Sequence, residues 1–164
     1  MNHKLKHTLN NNIHPTAIIY DNVTLGKGNT IGAYCVIGSN GEIRNVDEFK
    51  GTVVIGDNNT ISELVTIQRP SNEGAKTVIG NGNIIMAHTH IGHDANIGNN
   101  CELSTGVIIG GYAVIEDNVM LKLGVTIRNR KRVAKGIKIG MGSNVVTDIE
   151  GEGVYIGTPA KKMK

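Results

Sequence analysis

The 164-residue chain has no Trp, one Phe and four Tyr, which excludes a core built on large aromatic side chains. No run of 18 apolar residues occurs, so no segment reads as a membrane-spanning helix. The opening stretch, residues 1–12, is polar and lacks the apolar centre of a secretory signal, which points to a cytoplasmic protein. The net charge of +3 is modest, and the basic residues are not interleaved with aromatics for base stacking, so nucleic acid is not an expected partner. The length predicts one domain, placed at 13–164 behind a disordered or extended segment at 1–12.

What the chain does have is a period of six. Every sixth position from Ile13 to Val145 is apolar except Glu73. A helix repeats near 3.6 and a half-buried strand at 2, so neither produces this pattern. Chance does not sustain it in a chain that is 39% hydrophobic. A hexapeptide period is the mark of a parallel β-helix, with three short strands per 18-residue triangular coil and about seven to eight coils in the stack. Gly follows the apolar residue at Gly26, Gly32, Gly56, Gly80, Gly92, Gly98, Gly110 and elsewhere, and these glycines are expected to supply positive φ at the corners. Two residues before the apolar position stand small or β-branched side chains such as Ala17, Val23, Cys35, Val65, Ala95, Cys101 and Val107, expected to share the interior. Cys35 and Cys101 therefore read as core hydrophobes and not as a disulfide or metal pair.

Two stretches break the grammar. Residues 39–52 are charged, with Ile43 and Phe49 on the period by coincidence, and residues 69–77 carry Pro70, Gly74 and the failing Glu73. Both read as loops projecting from the stack, where binding functions concentrate. Three of the six His fall in Ala87-His88-Thr89-His90-Ile91-Gly92-His93-Asp94. The register turns His90 outward and sets His93 just past a corner, outside the core. An imidazole beside a carboxylate can accept a proton, the carboxylate holding its tautomer and stabilising the imidazolium. The basic run Arg128, Arg130, Lys131, Arg132, Lys135 and Lys138 could grip the phosphates of a ligand or the acidic face of a partner protein, or form an ordinary solvated face.

The segments His14-Pro15-Thr16-Ala17-Ile18, Glu63-Leu64-Val65-Thr66-Ile67-Gln68-Arg69 and above all Met86 to Gly98 resemble the UDP-N-acetylglucosamine O-acyltransferases that start lipid A synthesis. The likeness covers about residues 13–148. It implies an all-β, left-handed parallel β-helix, a homotrimer with active sites between subunits, no tightly bound cofactor, and an acyl thioester co-substrate. It assigns His93 as general base, Asp94 as its acidic neighbour, the backbone N–H of Gly111 as oxyanion donor and His90 as a substrate contact. Nucleotide-sugar N-acetyltransferases of the same superfamily also place a His and an acidic residue at this turn, so the pair supports acyl transfer more strongly than either acceptor. The spacing His88-x4-His93 also resembles two zinc ligands of the gamma-class carbonic anhydrases. Gln68 stands where their third His would come from, and a neutral amide is a poor zinc ligand, so no metal is expected.

The departures from the family carry the substrate question. Gln68, Tyr112 and Arg128 stand where the resemblance would place further site histidines. Gln68, Arg69 and Tyr112 are expected to touch substrate, and Arg128 the acyl donor. Met141 falls at the position that limits acyl length in the family, which suggests a short or medium chain. Tyr155-Ile156-Gly157-Thr158-Pro159-Ala160-Lys161 is similar to the tail of coenzyme-A-dependent hexapeptide acetyltransferases, and so assigns Gly157 and Lys161 to the donor. The expected function is transfer of a short acyl group from acyl-CoA to an amine or hydroxyl of a nucleotide-linked sugar in surface-glycan synthesis. The alternatives are the lipid-A-type reaction from an acyl carrier protein (acyl-ACP), a zinc carbonic anhydrase, and a structural module whose ends stack into assemblies.

Overall fold

The structure, a computed structural model, describes residues 10–164. It is a left-handed parallel β-helix with three flat faces. The first face stacks eight parallel strands, from Asn12–Ile13 up to Val154–Ile156, and ends on an antiparallel strand at Lys161–Lys162. The second face runs from Ile18–Ile19 to Asn144–Val145, and the third from Val23–Leu25 to Arg132–Val133. We name the corner after each face by that face. Of the expected N-terminal segment, residues 1–9 lie outside the described residues, whereas Asn12 already pairs with Thr30 in the first coil.

The period of six exists because each strand contributes one large side chain to a shared axis. Ile31, Ile61, Ile85, Leu103, Leu121 and Ile139 stack on the first face alone, all essentially without exposure. Each fully buried aliphatic contributes about 1.5–3 kcal/mol, so the column is the main stabilising term. The small residues expected between them are inside as well, Cys35, Val65, Ala95, Cys101 and Val107 included. Both thiols are held above their ordinary range by burial.

The role expected of the glycines needs correction. Positive φ directly after the apolar residue occurs at Gly38 (φ 91) next to the bulge, but elsewhere it falls three residues after the apolar position, at Tyr34, Leu64, His88, Asp94, Asn100, Tyr112, Asn118, Arg130 and Gly142, for example. The glycines directly after the apolar residue serve closeness. A Cβ on Gly80 would lie 2.5 Å from the carbonyl oxygen of Gly98, and one on Gly92 would lie 2.8 Å from the backbone nitrogen of Gly111, each in the next coil. The bend brings backbones together at a separation that leaves no room for a side chain.

Both interruptions enter at the second corner. From Ile13 to Ile139 successive first-face rungs are 18 residues apart, except that Ile31 pairs with Ile61 and Ile61 with Ile85. The insertions are therefore multiples of six, which is why Ile43 and Phe49 fall on the period while remaining outside the core, and why Glu73 is exposed in a turn. The two loops hold each other instead of projecting separately. Gly51 N donates to Pro70 O at 3.2 Å, and Lys50 N to Ser71 O at 2.8 Å. The second-face strands lengthen to Val36–Asn40 and Thr66–Arg69 beneath them, with a bulge between Ile37 and Ser39.

The third corner is closed by amide ladders that the hydrophobic pattern did not reveal. Inside, Asn29, Asn59 and Asn83 are buried, and each backbone N–H donates to the side-chain oxygen of the Asn below, beginning at Asn11. Their Nδ2 groups donate to the carbonyls of Gly56, Gly80 and Gly98. Outside, Asp57, Asn81, Asn99 and Asp117 each take a backbone N–H from the coil below through Oδ1. Corner groups that no strand ladder can reach are satisfied this way. Replacing Asn59 by Ala strands the backbone N–H of Asn83 and the carbonyl of Gly80. At about 1–3 kcal/mol per stranded buried group, N59A is expected to lower unfolding free energy by roughly 2–5 kcal/mol in urea titration, and a change below about 0.5 kcal/mol would contradict the ladder's importance.

Candidate active site

The second corner differs from the third because its caps are missing. The positions equivalent to the outer ladder are His93, Gly111 and Asn129, stacked in one column by the 18-residue register. The backbone N–H of Gly111 donates to no acceptor among the described residues. Above it, Asn129 lines the same cavity. A free donor and an imidazole thus share an edge where other coils are sealed.

His93 is held from four sides. Its Nδ1 lies 2.8 Å from Oδ2 of Asp94, with both side chains little more than one-tenth exposed. An ionised carboxylate only accepts, so Nδ1 carries the proton and Nε2 is left with its lone pair. Nε2 faces Gly111: a Cβ there would sit 2.7 Å from it. On the other flank a Cβ on Gly41 would lie 2.9 Å from His93 Cβ, so the 39–52 loop packs against the base. Tyr112 meets the imidazole edge-on, with ring centroids 5.2 Å apart. Asp94, at φ 59, is pinned by its backbone N–H to Thr77 Oγ1 at 2.8 Å, and that hydroxyl donates to the carbonyl of Gln68.

His90 lies on the second face beside this column, with Nδ1 2.8 Å from Thr66 Oγ1 one coil below. Burial pushes its pKa below the ordinary value; the carboxylate of Glu42 opposes that shift and His93 adds to it. A cavity of about 260 Å³ joins His90, His93, Gly111, Gln68, Asn129 and Glu42. It offers a hydrogen-bonded base, a free backbone donor, two neutral amides and one carboxylate, a set suited to moving a proton while a negative oxygen forms.

The structure thus brings together His93, Asp94, Gly111, His90 and Gln68. Tyr112 abuts the base from outside the cavity, and Arg69 is turned to Asn40, its Nε donating to Oδ1 at 2.9 Å. Arg128 is exposed beside Asn129. Met141, Gly157 and Lys161 are not brought to the site: Met141 is 73% exposed at the first corner, and the other two lie at the C-terminal end. Gly157 O accepts from Asn144 N, three coils above His93. His88 opens at the first corner, so His88 and His93 stand at opposite ends of one strand, and no three His, Cys, Asp or Glu among the described residues converge as a metal set. Glu42, Asn129, Thr66, Thr77 and Gly41 were not anticipated. Counting two steps of 18 residues on from His93 reaches Asn129, but the register of the loop residues passes through an insertion that periodicity cannot follow.

Comparisons with known proteins find the same repeat and the same fold. The family described as bacterial transferase hexapeptide (six repeats) matches residues 76–111. The chain is 36% identical over 143 residues to the acyl-[acyl-carrier-protein]–UDP-N-acetylglucosamine O-acyltransferase of Sinorhizobium fredii, covering 87% of this chain and 53% of that protein. The crystal structure of a UDP-N-acetylglucosamine acyltransferase from Bacteroides fragilis superposes with a TM-score of 0.90 at 32% identity, over 94% of this chain and 60% of that one. A perosamine N-acetyltransferase from Caulobacter crescentus shares the fold, with a TM-score of 0.64 at 21% identity over 96% and 58% of the two chains. The chain spans about half the length of the curated relatives it matches.

The buried setting of His90 makes a checkable statement about acid. Because burial disfavours its charged form, the folded protein binds that proton less readily than the unfolded chain does. Stability from this group is present above the ordinary histidine value of 6.5 and is lost as pH falls from there through the lowered folded value. In an NMR titration the C2 proton of His90 should shift with a midpoint below 6.5, and a midpoint above 6.5 would contradict the assignment.

Proposed function

Starting from a left-handed β-helix of hexapeptide repeats similar to UDP-N-acetylglucosamine O-acyltransferases, we propose that the chain is an acyltransferase acting on a nucleotide-linked sugar. The observation that carries the reading is the column at the second corner, where His93, oriented by Asp94, faces the unpaired N–H of Gly111. His93 Nε2 takes the proton of an acceptor hydroxyl or amine as its oxygen or nitrogen bonds to the thioester carbonyl carbon. The carbonyl electrons move onto oxygen, which Gly111 N–H stabilises. Collapse of the tetrahedral intermediate breaks the C–S bond, and the leaving sulfur receives the proton from His93. General base catalysis supplies roughly 10²–10⁴ in rate, and an oxyanion donor roughly 10²–10³. No covalent enzyme intermediate is required, and both thiols point into the core.

His90, Gln68 and Tyr112 are assigned to the acceptor, with Arg69 holding the loop that brings Glu42 to the cavity. Acyl-CoA is the donor of this reading. Arg128, Met141, Gly157 and Lys161 lie at or above the coil of Asn129, on the side from which a long thioester arm would approach along the stack. A second reading, O-acyl transfer from an acyl carrier protein, is favoured by the relatives of 29–36% identity that carry that name. A cytoplasmic, surface-glycan role fits both.

The first corner supports a homotrimer with sites between subunits. Tyr34, Leu64, Leu123 and Met141 line it with exposures from 42% to 73%, next to the exposed Ile18 and Ile108 of the second face. Such a stripe along one edge marks a protein contact. A neighbour's first corner laid against the second face would close the cavity and set its Met141 toward a bound acyl chain.

Two outcomes are expected. His93→Ala should lower kcat by roughly 10²–10⁴ while thermal unfolding is unchanged, and Asp94→Asn should also be impaired because the tautomer is no longer enforced. A His93→Ala enzyme within threefold of wild type would end the proposal. By light scattering the protein should have three times the chain mass, and Leu123→Asp should shift it to monomer with loss of activity; a monomeric wild type with full activity would contradict the shared site.

A further inference from the structure

Resting on the acyl-transfer reading, we propose that Arg130, laid across the ring of Tyr112, is the seat for the diphosphate of the nucleotide-linked acceptor. The basic run does not act as one patch, because it winds around more than half of a coil. Arg128 and Arg130 lie at the second corner, Arg132 on the third face, Lys135 at the third corner and Lys138 on the first face. Two of its members are already neutralised. Lys131 lies 3.7 Å from Asp148, and Arg132 binds Glu116 and Glu150.

Arg130 is different. Among the described residues no carboxylate pairs with it. Its guanidinium carbon lies instead 4.0 Å from the centroid of Tyr112, whose ring in turn meets His93 edge-on. The backbone holds φ 62, a left-handed corner conformation that Gly or Asn supplies at Gly124, Gly142, Asn100 and Asn118. Stacked on an aromatic face, a guanidinium is fixed in plane with its N–H fork free for phosphate oxygens.

Reach decides which phosphate. Arg130 stands two coils above Asp94, ~10 Å along the stack at ordinary strand spacing. In a nucleotide-linked sugar the diphosphate sits on the anomeric carbon, a few bonds from the ring positions that would present the nucleophile to His93. In a thioester donor the first phosphate is at the far end of the pantetheine arm. A sugar seated at Nε2 therefore carries its diphosphate to Arg130, whereas a donor's phosphate lies beyond it. Glu42, on the loop side of the cavity, repels phosphate from the opposite end and sets the same polarity.

The test is calorimetric binding of UDP and of coenzyme A to the full chain, for wild type and for Arg130→Asn and Arg130→Lys. Asn removes the cation yet tolerates the left-handed corner, as Asn100 and Asn118 do. UDP affinity should fall about 10- to 100-fold in Arg130→Asn, as expected for one charge-assisted contact, and by less in Arg130→Lys, with coenzyme A affinity unchanged. Steady-state kinetics should raise the KM for the nucleotide sugar with kcat little altered. The proposal is overturned by unchanged UDP affinity, by wild type failing to bind UDP, by weakening of coenzyme A instead, or by a fall in kcat without a KM change. His93-dependent acyl transfer with Arg130-independent UDP binding would refute this inference alone; Arg130-dependent UDP binding without acyl transfer would refute the function alone.

Discussion

Each coil of this protein is fixed by the one beneath it through the parallel ladder, and everything else follows from that stacking constraint. One large and one small residue of every six enter the interior, and backbones at the bends come too close for side chains at positions such as Gly80 and Gly92. Because the coil length is 18 residues, corner positions become columns. A column is a ready-made way to hold distant residues together: His93, Gly111 and Asn129 are neighbours with no long-range folding of loops to bring them there.

The two corners show what a column can be made to do. At the third corner Asn and Asp side chains cap the backbone donor of every coil from Lys27 to Asn99, and nothing is left to react. At the second corner glycine replaces the cap above His93, which leaves the imidazole facing a bare backbone. The same absence that would weaken a structural corner makes room for a tetrahedral intermediate. The loops inserted at this corner then add what a regular coil cannot: a buried Gly41 against the base, and the Glu42 carboxylate in the cavity.

Much of this was legible in the residues. The inward register, the fate of Cys35 and Cys101, the interruptions and the His93–Asp94 pair all follow from counting in sixes, because the ladder permits so little freedom. What escaped was governed by other forces. The inner Asn ladder occupies positions where only apolar residues were sought, since its logic is hydrogen bonding and not hydrophobicity. Except at Gly38, the glycines were given the right corner and the wrong reason, and the left-handed φ belongs to residues such as Leu64 and Tyr112, which a propensity argument would not choose. Glu42 is invisible to periodicity because it lies within a twelve-residue insertion that the coil register does not place. Met141, Gly157 and Lys161 stay apart from His93 within one chain, so their assignment to the donor depends on how subunits and substrates meet.

The central claim is that the unsealed second corner is where acyl transfer happens. A crystal structure of the protein with a nucleotide-sugar acceptor and a non-reactive thioether analogue of the acyl donor addresses it directly. The account predicts the acceptor oxygen or nitrogen within hydrogen-bond distance of His93 Nε2, and the carbonyl oxygen of the analogue on the N–H of Gly111. Both ligands bound away from this column, with His93 and Gly111 untouched, would contradict it.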